Sequence, residues 1–314
     1  MNLNRFLPNF IFLKKDVLKP TTKAHWALLG TNFFFAINFT AIKFIVNGGF
    51  AKPFAINIIR VAVTAVLLWV LFIFKPAKSV IAKKDMGRFA LCALTGVAIN
   101  QLLFVKGLSL TFSIHASLLM LTTPILITII AAWILKEKIN NLKITGLLLG
   151  ITGAVILITA KENSGNASQA VWGDLLIILN AIAYTIYFIL VKPLMKTYNP
   201  VTIIRIIFTI GFFMMLPFCW QEFKEVSWQQ FTPQAWIGMG LIVFTGTFLA
   251  YLFNVYGIQV LGASVAGAYI YSQPFFAAAI AIIFLGEKIT GTKLLAAACI
   301  FIGVYLSNKK AKHL

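Results

Sequence analysis

"LTTPILITIIAAWILKEKI", from Leu121 to Ile139, and "YSQPFFAAAIAIIFLGEKI", from Tyr271 to Ile289, decide the fold of this 314-residue chain. Each stretch contains a proline, then a long apolar run, then Glu-Lys-Ile, and the two lie 150 positions apart. An apolar run of about 18 residues or more can cross the roughly 30 Å hydrocarbon core of a bilayer. The pair therefore predicts a membrane-spanning unit that occurs twice.

The composition is that of a membrane protein. Hydrophobic residues make up 60% of the chain and charged residues 11%, with a mean hydropathy of +0.92, whereas soluble domains carry about 25% charged residues. We predict an all-α membrane protein with ten transmembrane helices in two inverted five-helix repeats. The predicted spans are 25–46, 54–74, 89–109, 114–135, 142–160, 171–191, 200–220, 236–258, 264–285 and 292–307.

The segments between the spans are too short to form a separate soluble domain. The segment before the first span has five basic residues and no small-residue cleavage site, so we expect a cytoplasmic tail and not a signal peptide. The predicted organisation is a cytoplasmic tail at 1–24, a first five-helix repeat at 25–160, a second, inverted repeat at 171–307, and a cytoplasmic tail at 308–314.

The net charge of +19 has a membrane explanation. In a soluble protein it would indicate nucleic-acid binding, but in membrane proteins Lys and Arg collect in the cytoplasmic loops. With the first helix starting in the cytoplasm, the cytoplasmic segments hold 18 Lys and Arg and the opposite segments hold six. The sequence therefore predicts both termini in the cytoplasm and no nucleic-acid partner.

No cofactor, metal site or catalytic site is expected. Cys92, Cys219 and Cys299 lie within or at the ends of apolar runs and lack metal-ligand spacing, so we interpret them as packing residues. The three histidines are scattered, and there is no nucleophile–base pair and no pair of carboxylates at membrane depth. These observations argue against a membrane-embedded enzyme, and the lack of a sizeable extramembrane domain argues against a receptor.

The chain repeats itself at nearly constant register. A shift of 149 lays Phe35, Asn38 and Lys43 over Tyr184, Tyr187 and Lys192, and a shift of 150 superimposes a series of identical residues, eight pairs of which extend from residue 96 to residue 153. These are Gly96/Gly246, Gly107/Gly257, Ala116/Ala266, Pro124/Pro274, Glu137/Glu287, Lys138/Lys288, Lys143/Lys293 and Gly153/Gly303. Because each half has five helices, the second half enters the membrane upside down. Inverted halves are typical of transporters with alternating access; the alternative is a duplication that serves packing alone.

The stretches "PILITIIAAWILKEKINNLKITGLLLGITGAVIL" (124–157) and "PFFAAAIAIIFLGEKITGTKLLAAACIFIGVYL" (274–306) resemble the drug/metabolite transporter superfamily and, within it, the EamA-type ten-helix permeases. The first helix of that family commonly reads Trp-Gly-x-Asn before a lysine. Here the stretch is "FAINFTAIK", with Phe35 at the Trp position and Asn38 and Lys43 retained. The resemblance implies transport of amino acids, other small metabolites or drugs, often outward across a bacterial inner membrane.

Polar side chains inside hydrocarbon are costly unless they face a partner or a watery cavity. The candidates gather in the helix pairs 1/6, 3/8 and 4/9, as a substrate pathway between the two halves requires. For Asn and Gln the alternative is a hydrogen bond between helices, and for the aromatic rings it is packing. The predicted cavity residues are Phe35, Asn38, Asn100, Gln101, Tyr184, Tyr187, Tyr251, Asn254, Tyr269, Tyr271 and Gln273.

A second set of residues is assigned structural roles. The two repeated prolines are expected to kink their helices or leave a polar notch. The two arginines occupy equivalent places in helices 2 and 7, which favours a structural or gating role over substrate binding, whereas an anionic substrate would reverse that preference. The glycines, spaced as small residues one turn apart, indicate packing within the chain or in a dimer. The set is Pro124, Pro274, Arg60, Arg205, Gly146, Gly150 and Gly153.

The charged residues near the helix ends are expected to face water. Asp174 is expected to cap the start of helix 6, Glu137 and Glu287 to be interfacial anchors, and Lys43 to extend to the interface. His115 lies near a helix end and has no counterpart histidine. Since no acid is expected deep within a span, the sequence does not support proton coupling through a buried carboxylate.

The sequence thus predicts a bacterial inner-membrane permease that exports small metabolites, amino acids foremost, by alternating access. Drugs or other amphipathic metabolites are the alternative substrates. The expected partners are a small-molecule substrate and the lipid bilayer, and both a monomer and a homodimer are compatible with the sequence.

Overall fold

The computed structural model describes residues 19–74, 81–123, 125–126, 141–159, 169–261, 266 and 269–308, and all regular structure in them is helical. We number the helices after the predicted spans. They are α1 (Pro20–Asn47), α2 (Pro53–Phe74), α3 (Lys83–Leu110), α4 (Ser113–Met120), α5 (Asn141–Thr159), α6 (Ala170–Thr197), α7 (Pro200–Lys224), α8 (Pro233–Leu261), α9 (Ile270–Leu285) and α10 (Gly291–Asn308).

Six of these helices are long and apolar enough to cross a membrane: α1, α2, α3, α6, α7 and α8. Three others are apolar over shorter stretches, Ile144–Thr159, Ile270–Leu285 and Gly291–Leu306. Much of the span predicted at 114–135 lies outside the described residues. The all-α membrane architecture is therefore confirmed, and the count of ten spans stays a prediction.

Local sequence explains where α7 and α8 begin. Asn199 and Thr232 each cap the following helix with a side-chain oxygen, which accepts a backbone N–H at 2.9 and 3.2 Å. Each cap is followed by a proline, Pro200 or Pro233, whose missing N–H would have no partner in a first helical turn. Because of this cap, α8 begins three residues before the hydropathy-based boundary at 236.

The principal helix contacts join the two halves of the chain. α1 packs on α8 and α9, and α6, its counterpart in the second half, packs on α3 and α4. α2 packs on α7, and α5 packs on α10. Exchanging each helix for its counterpart converts the α1–α8 contact into the α6–α3 contact, and both contacts are present. The two halves therefore form one bundle and not two separate domains.

Equivalent glycines make equivalent contacts in the two halves. A Cβ atom on Gly96 in α3 would collide with the ring of Tyr187 in α6, and one on Gly246 in α8 would collide with Asn38 in α1. Tyr187 and Asn38 are themselves counterparts in the sequence repeat. The close packing of these helices thus follows the register of the repeat.

Both halves also depart from α-helical geometry at matching places. α3 contains a π-helical segment at Leu94–Ala98, and α8 contains one at Leu241–Leu249. These segments overlap after a shift of 150 positions. A π-helical turn inside an α-helix is often found at a functional site, and here each one precedes a predicted cavity residue, Gln101 or Tyr251.

Pro274 does not kink the middle of its helix. It is the second residue of the α-helical part of α9, Gln273–Leu285, which follows a 3-10 turn at Ile270–Ser272. A proline in a first turn removes a donor that would be unpaired anyway. Pro274 therefore starts this α-helical segment, in contrast to the predicted kink or notch. Pro124 lies outside the described residues.

The small residues of α5 pack against α10 within the chain. Gly153 lies against the backbone oxygen of Ala296, and Gly303 lies against the backbone of Gly146 and Gly150. The absence of side chains at these positions lets the two helices approach closely. Of the two alternatives that the sequence left open for these glycines, the structure shows packing between helices of one chain.

Two apolar cores lie within the described bundle. Residues of α4, α9 and α10 belong to the first core, and residues of α7 belong to the second. α3 and α6 contribute to both: Val105 and Ile177 lie in the first core, whereas Ala98 and Val191 lie in the second. The middle of these two helices therefore lies between the cores.

Candidate functional site

A set of polar side chains occupies the region between the two apolar cores, and we call it the central polar group. Its members are Asn38, Asn57, Arg60, Gln101, Thr247 and Tyr251. Gln101 on α3 donates from Nε2 to the hydroxyl oxygen of Tyr251 on α8, at 2.9 Å. These two residues are counterparts in the sequence repeat. A contact between counterparts lies where the two halves meet.

Arg60 is the one cation of this group, and only 2% of it is exposed. Its Nε donates to Oγ1 of Thr247 at 2.9 Å, and that hydroxyl donates to the backbone oxygen of Ile242 at 2.7 Å. Its Nη1 is buried and has no hydrogen-bond partner among the described residues. A buried guanidinium with a free donor is suited to binding a carboxylate.

The amides near Arg60 in the fold use their donors and leave acceptors unpaired. Asn57 Nδ2 donates to the backbone oxygen of Gln101 at 3.0 Å, and Asn180 Nδ2 donates to that of Asn100 at 2.7 Å. These bonds assign the orientation of both amides. The side-chain oxygens of Asn38, Asn57, Gln101 and Asn180 are buried without a partner in the part of the chain that the structure describes. Since buried polar atoms are normally paired, these oxygens are available to accept hydrogen bonds from water or from a polar solute.

Aromatic rings surround the central polar group. The ring of Tyr251 meets Phe35 and Phe208 edge-on, with centroids 6.0 and 5.1 Å apart. On α6, the rings of Tyr184 and Tyr187 lie 5.8 Å apart, and both are half-buried. Aromatic faces attract cations and pack against apolar groups. The region therefore offers a guanidinium, hydrogen-bond acceptors and aromatic surface.

Four predicted cavity residues lie toward the end of the bundle where α1 begins. The hydroxyl of Tyr269 is 2.7 Å from Nδ1 of His25 in the first turns of α1. Tyr271 is half-buried and Gln273 is buried, both at the start of α9. Asn254 is half-buried, about one turn after the central tyrosine of α8. These residues extend the polar set from the central polar group toward that end.

The two arginines that the sequence treats as equivalent have different neighbours. The guanidinium carbon of Arg205 lies 3.5 Å from the ring centroid of Phe72 and 4.5 Å from that of Trp69. Trp69 in turn donates from Nε1 to Oγ1 of Thr209 at 2.9 Å. Arg205 thus packs on α2 aromatic rings, while Arg60 belongs to the central polar group. Their equivalence in sequence does not extend to their contacts.

A second buried polar set lies at the end of the bundle where α1 ends, and we call it the closing cluster. Its members come from α1, α4, α6, α10 and the turns after α3 and α9, and none is more than 6% exposed. They are Lys43, Thr111, Ser113, His115, Asp174, Glu287 and Lys293.

Asp174 is the acceptor that links α6 to α3 and α4. Its Oδ2 lies 3.0 Å from Nδ1 of His115, and its Oδ1 accepts a hydrogen bond from Oγ1 of Thr111. Lys43 on α1 donates from Nζ to the backbone oxygen of Thr111 at 2.7 Å. Three helices and the turn after α3 are therefore tied together through buried polar contacts.

Glu287 caps α4 from the other half of the chain. Its carboxylate accepts the backbone N–H of Ser113 at 2.7 Å and that of the next residue at 3.0 Å. The first N–H groups of a helix have no partner within it, and a carboxylate also complements the helix dipole. Nearby, Lys293 donates to the backbone oxygen of Lys288 at 2.9 Å, and its Nζ lies 4.8 Å from the ring centroid of Phe112.

The closing cluster overturns three expectations. Asp174 is the fifth residue of α6 and accepts from other helices, so it is not a cap of its own helix. Glu287 is buried and caps α4, so it is not an interfacial anchor, and Lys43 is buried and does not extend to the interface. The sequence held one signal, because Lys43, Glu287 and Lys293 each have a like-charged counterpart in the other half. Hydropathy alone does not show that these charges meet.

Comparison with known proteins identifies the family. The EamA-like transporter family matches residues 22–159 and 171–309, so it matches each half. An uncharacterized transporter of Archaeoglobus fulgidus is 26% identical over 91% of this chain and 99% of its own. A probable terminal-alkyne amino-acid exporter of Streptantibioticus cattleyicolor is 24% identical over 92% of this chain and 94% of its own.

One solved crystal structure covers 92% of this chain and 96% of its own, with a TM-score of 0.59 and 16% identity. That likeness shows a shared fold alone. The family match, in contrast, spans both halves, and it agrees with the six long apolar helices. The chain is therefore a multi-pass membrane protein that belongs to the EamA-like transporter family.

Proposed function

We propose that this transporter exports amino acids or similar small metabolites across a bacterial inner membrane. The central polar group is the basis of the proposal, because its buried guanidinium with a free donor and its three amide oxygens, which are unpaired within the part of the chain that the structure describes, lie between two apolar cores. Such groups are costly to bury unless a solute or water pairs with them. The relative that is named a probable amino-acid exporter supports the same substrate class.

The chemistry of the group fits a zwitterion. The free Nη1 of Arg60 would receive the carboxylate in a charge-assisted hydrogen bond, which is about twice as strong as a neutral one. The side-chain oxygens of Asn38 and Gln101 would receive the ammonium group. The rings of Phe35 and Tyr251 would contact the substrate side chain. A solute with only one of the two charges would leave half of these partners unused.

The packing of the bundle supports alternating access between inverted halves. α1 and its counterpart α6 run in opposite directions, since the end of α1 meets the start of α6 in the closing cluster. α4 and its counterpart α9 do so as well, since Glu287, just after α9, caps the start of α4. Opposite directions and reciprocal contacts are what an inverted repeat requires. In this proposal one half rocks against the other around the central polar group.

The transport test is uptake of labelled amino acids by liposomes that contain the purified protein. Saturable uptake of at least one amino acid is expected. Unlabelled competitor should inhibit it, whereas the corresponding amide, which lacks the carboxylate, and the deaminated acid, which lacks the ammonium group, should each compete at least about ten-fold more weakly. A lack of flux for every amino acid tested contradicts the substrate class. Equal competition by the three compounds contradicts the assigned recognition.

The orientation test uses two exposed lysines replaced by cysteine. With both termini in the cytoplasm, as the charge distribution indicates, Lys52 lies outside and Lys196 inside. In intact cells, a membrane-impermeant thiol reagent should label Lys52→Cys and should reach Lys196→Cys only after the membrane is permeabilised. The reverse pattern would place the termini outside.

A groove between α2 and α7 favours a second candidate, the export of amphipathic metabolites or drugs. The groove has a volume of about 390 Å³, and its lining includes Trp69, Phe212 and Phe213. Arg205 lies against the ring of Trp69. An amphipathic anion could place its apolar part in the groove. In the same liposomes, flux of an amphipathic carboxylic acid dye without flux of any amino acid would favour this candidate.

A further inference from the structure

The groove between α2 and α7 has an apolar lining and a buried arginine at one end, and the central polar group uses neither. We propose that this groove binds one anionic phospholipid, with an acyl chain in the groove and the headgroup phosphate on Arg205. The second candidate function would place a transported solute in the same groove, whereas here the occupant is a resident molecule of the bilayer. The site does not depend on which solute the protein carries.

The groove has the length of one leaflet and opens to the outside of the bundle. Its lining on α2 extends from Ala62 to Ile73, a distance of about 17 Å along a helix. Half of the hydrocarbon core of a bilayer is about 15 Å thick. Val66, Ile73 and Phe213 line the groove and are exposed on the surface of the bundle. In a membrane-spanning bundle such a surface meets acyl chains, so an acyl chain is the apolar group that the groove contacts first.

Arg205 lies beside this groove and lacks an anionic partner. Its guanidinium carbon is 4.5 Å from the ring centroid of Trp69, and its backbone oxygen accepts from Oγ1 of Thr209; both of these neighbours line the groove. Only 5% of Arg205 is exposed, and its Nε is buried without a hydrogen-bond partner in the part of the chain that the structure describes. The ion pairs of that part do not include Arg205. A cation inside hydrocarbon is costly unless it is paired, and a phosphate pairs strongly with a guanidinium.

The arginine lies at the end of the groove that is nearer to the lipid headgroups. It is five residues after Pro200, the first residue of α7, and so about 8 Å along the helix from that end. Ile73, at the same end of the groove, is the last residue but one of α2. Because long arginine side chains extend toward the interface, a headgroup phosphate can meet the guanidinium there. With both termini in the cytoplasm, this end lies in the cytoplasmic leaflet.

The charges at this end of the bundle favour an anionic headgroup over a zwitterionic one. Asp85 is the one carboxylate at this end among the described residues, and it accepts a hydrogen bond from Tyr198 at 2.7 Å. That bond joins the start of α3 to the turn before α7. Basic pockets between transmembrane helices on the cytoplasmic side are typical sites for anionic lipid headgroups. The exposed cations at this end are Lys83, Lys84, Arg88 and Lys196.

The test measures lipid binding by the purified protein in detergent. Native mass spectrometry counts the bound lipid, and the melting temperature is the second measurement. The three probes are dioleoyl phosphatidylglycerol, phosphatidylcholine with the same acyl chains, and soluble glycerol phosphate. One molecule of phosphatidylglycerol should bind per chain, with an affinity at least about ten-fold higher than that of phosphatidylcholine, and should raise the melting temperature. Glycerol phosphate should not raise it at the same concentration, because it has no acyl chain.

Two variants separate the headgroup contact from the chain contact. Arg205→Gln removes the guanidinium, so the affinity for phosphatidylglycerol should fall about ten-fold, to that for phosphatidylcholine. Ala62→Phe fills the deep end of the groove, so both lipids should bind more weakly. The matched controls are Lys196→Gln, which removes an exposed cation at the same end, and Ala298→Phe, which adds the same ring to an exposed position of α10. Each control should change either affinity by less than about two-fold. A cooperative melting transition without lipid establishes that each variant is folded.

Four results overturn the proposal. Affinities for the two lipids that are equal, or that Arg205→Gln leaves unchanged, exclude the headgroup contact. Unchanged binding by a folded Ala62→Phe variant places the lipid elsewhere. Stabilisation by glycerol phosphate equal to that by phosphatidylglycerol indicates a site for a soluble anion. Flux of the amphipathic dye that Arg205→Gln abolishes assigns the groove to transport. Since lipid binding is measured without a substrate, lipid binding in the absence of amino-acid flux would reject the proposed substrate and retain the lipid site.

Discussion

The central polar group and the closing cluster are both buried polar sets that join the two halves, yet they differ in how their atoms are paired. In the closing cluster, each charged side chain has a partner: Lys43, Asp174, Glu287 and Lys293 all make hydrogen bonds to other parts of the chain. In the central polar group, amide oxygens and one guanidinium nitrogen have none among the described residues. The charged side chains of the closing cluster hold helices together, whereas the unpaired atoms of the central polar group are available to a solute, as proposed above.

This difference has an energetic reason. An unpaired buried polar atom costs about 1–3 kcal/mol, and a pairing solute recovers much of that cost. In the proposed mechanism, the central polar group therefore lowers the stability of the empty protein and favours substrate binding. In the closing cluster the same cost appears only when the contacts separate. Substitutions in the two sets should accordingly affect different properties.

The largest expected effect is a loss of stability in the closing cluster. Asp174→Ala removes the buried carboxylate that contacts the Thr111 hydroxyl and Nδ1 of His115, so the free energy of unfolding should fall by about 3 kcal/mol. Thermal unfolding in detergent measures it. Asp85→Ala is the matched control, because Asp85 also accepts a hydrogen bond, from Tyr198 at 2.7 Å, but is only half-buried. Equal losses of stability for the two variants would contradict the expectation that the buried contacts of the closing cluster stabilise the protein more than the half-buried contact of Asp85.

The next effect separates binding from stability in the central polar group. Arg60→Gln removes the proposed carboxylate partner, so the apparent affinity for the substrate should fall by about 10- to 100-fold, as expected for a hydrogen bond to a charged group. The melting temperature should change little. Arg205→Gln alters the equivalent arginine, which packs on Phe72 and Trp69, and should leave affinity unchanged. If Arg205→Gln reduces the affinity for the substrate as much as Arg60→Gln does, the assignment of Arg60 as the carboxylate partner is contradicted.

A smaller effect tests whether the two halves support the central region in the same way. Gly96→Ala should push the ring of Tyr187, and Gly246→Ala should push Asn38, each at about 1–3 kcal/mol of stability. Gly240→Ala on α8 is the control, since a Cβ atom there meets nothing within 4 Å. Melting curves of the three variants provide the comparison. A loss in only one of the first two would show that the repeat does not extend to this packing.

The smallest effect concerns a solvent-exposed ion pair at the same end as the closing cluster. Nζ of Lys52 lies 2.6 Å from Oε2 of Glu225, and their side chains are 64% and 39% exposed. Exposed pairs contribute little, so Lys52→Gln should not measurably change the melting temperature. A clear drop in the melting temperature would show that this exposed ion pair stabilises the protein as the buried contacts of the closing cluster do.

The pH dependence of this exposed pair has a defined sign. The hydrogen bond with Glu225 raises the pKa of Lys52, and the bond from Lys52 is the first cause that lowers the pKa of Glu225. The stabilisation that comes from the charged Lys52 side chain is lost as the pH rises through the raised folded-state pKa of Lys52. The stabilisation that comes from the charged Glu225 side chain is lost as the pH falls through the lowered folded-state pKa of Glu225. The difference in melting temperature between the wild type and Lys52→Gln should thus stay constant from about pH 6 to 9. Melting curves across that range test it.

Much of the central polar group could be predicted because its residues stand out locally. Asn38, Gln101 and Tyr251 are polar or aromatic residues inside apolar runs, where polar groups are costly unless they face a partner or a watery cavity. Thr247 and Asn57 are less conspicuous, because threonine is common in apolar helices and Asn57 lies near a helix start. Arg60 stood out in the sequence, but its difference from Arg205 depends on neighbours that no sequence pattern shows.

The closing cluster could not be predicted for a geometric reason. Its residues lie at helix ends, where charges ordinarily face water, and Lys43 and Lys293 are 250 positions apart. Each residue alone has an ordinary explanation as a cap, an anchor or an interfacial lysine. Only the assembled bundle brings them together and buries them.

The helical membrane architecture, the register of the repeat and the resemblance to a transporter family could all be predicted from the sequence alone. These properties depend on the length of apolar runs and on residues that recur at a fixed spacing, and both can be identified in the linear sequence. Which buried polar atoms of the described residues are paired, and which are not, follows only from the packing of the helices. Pairing depends on distances of about 3 Å between side chains from different helices, and those distances exist only after the helices have packed.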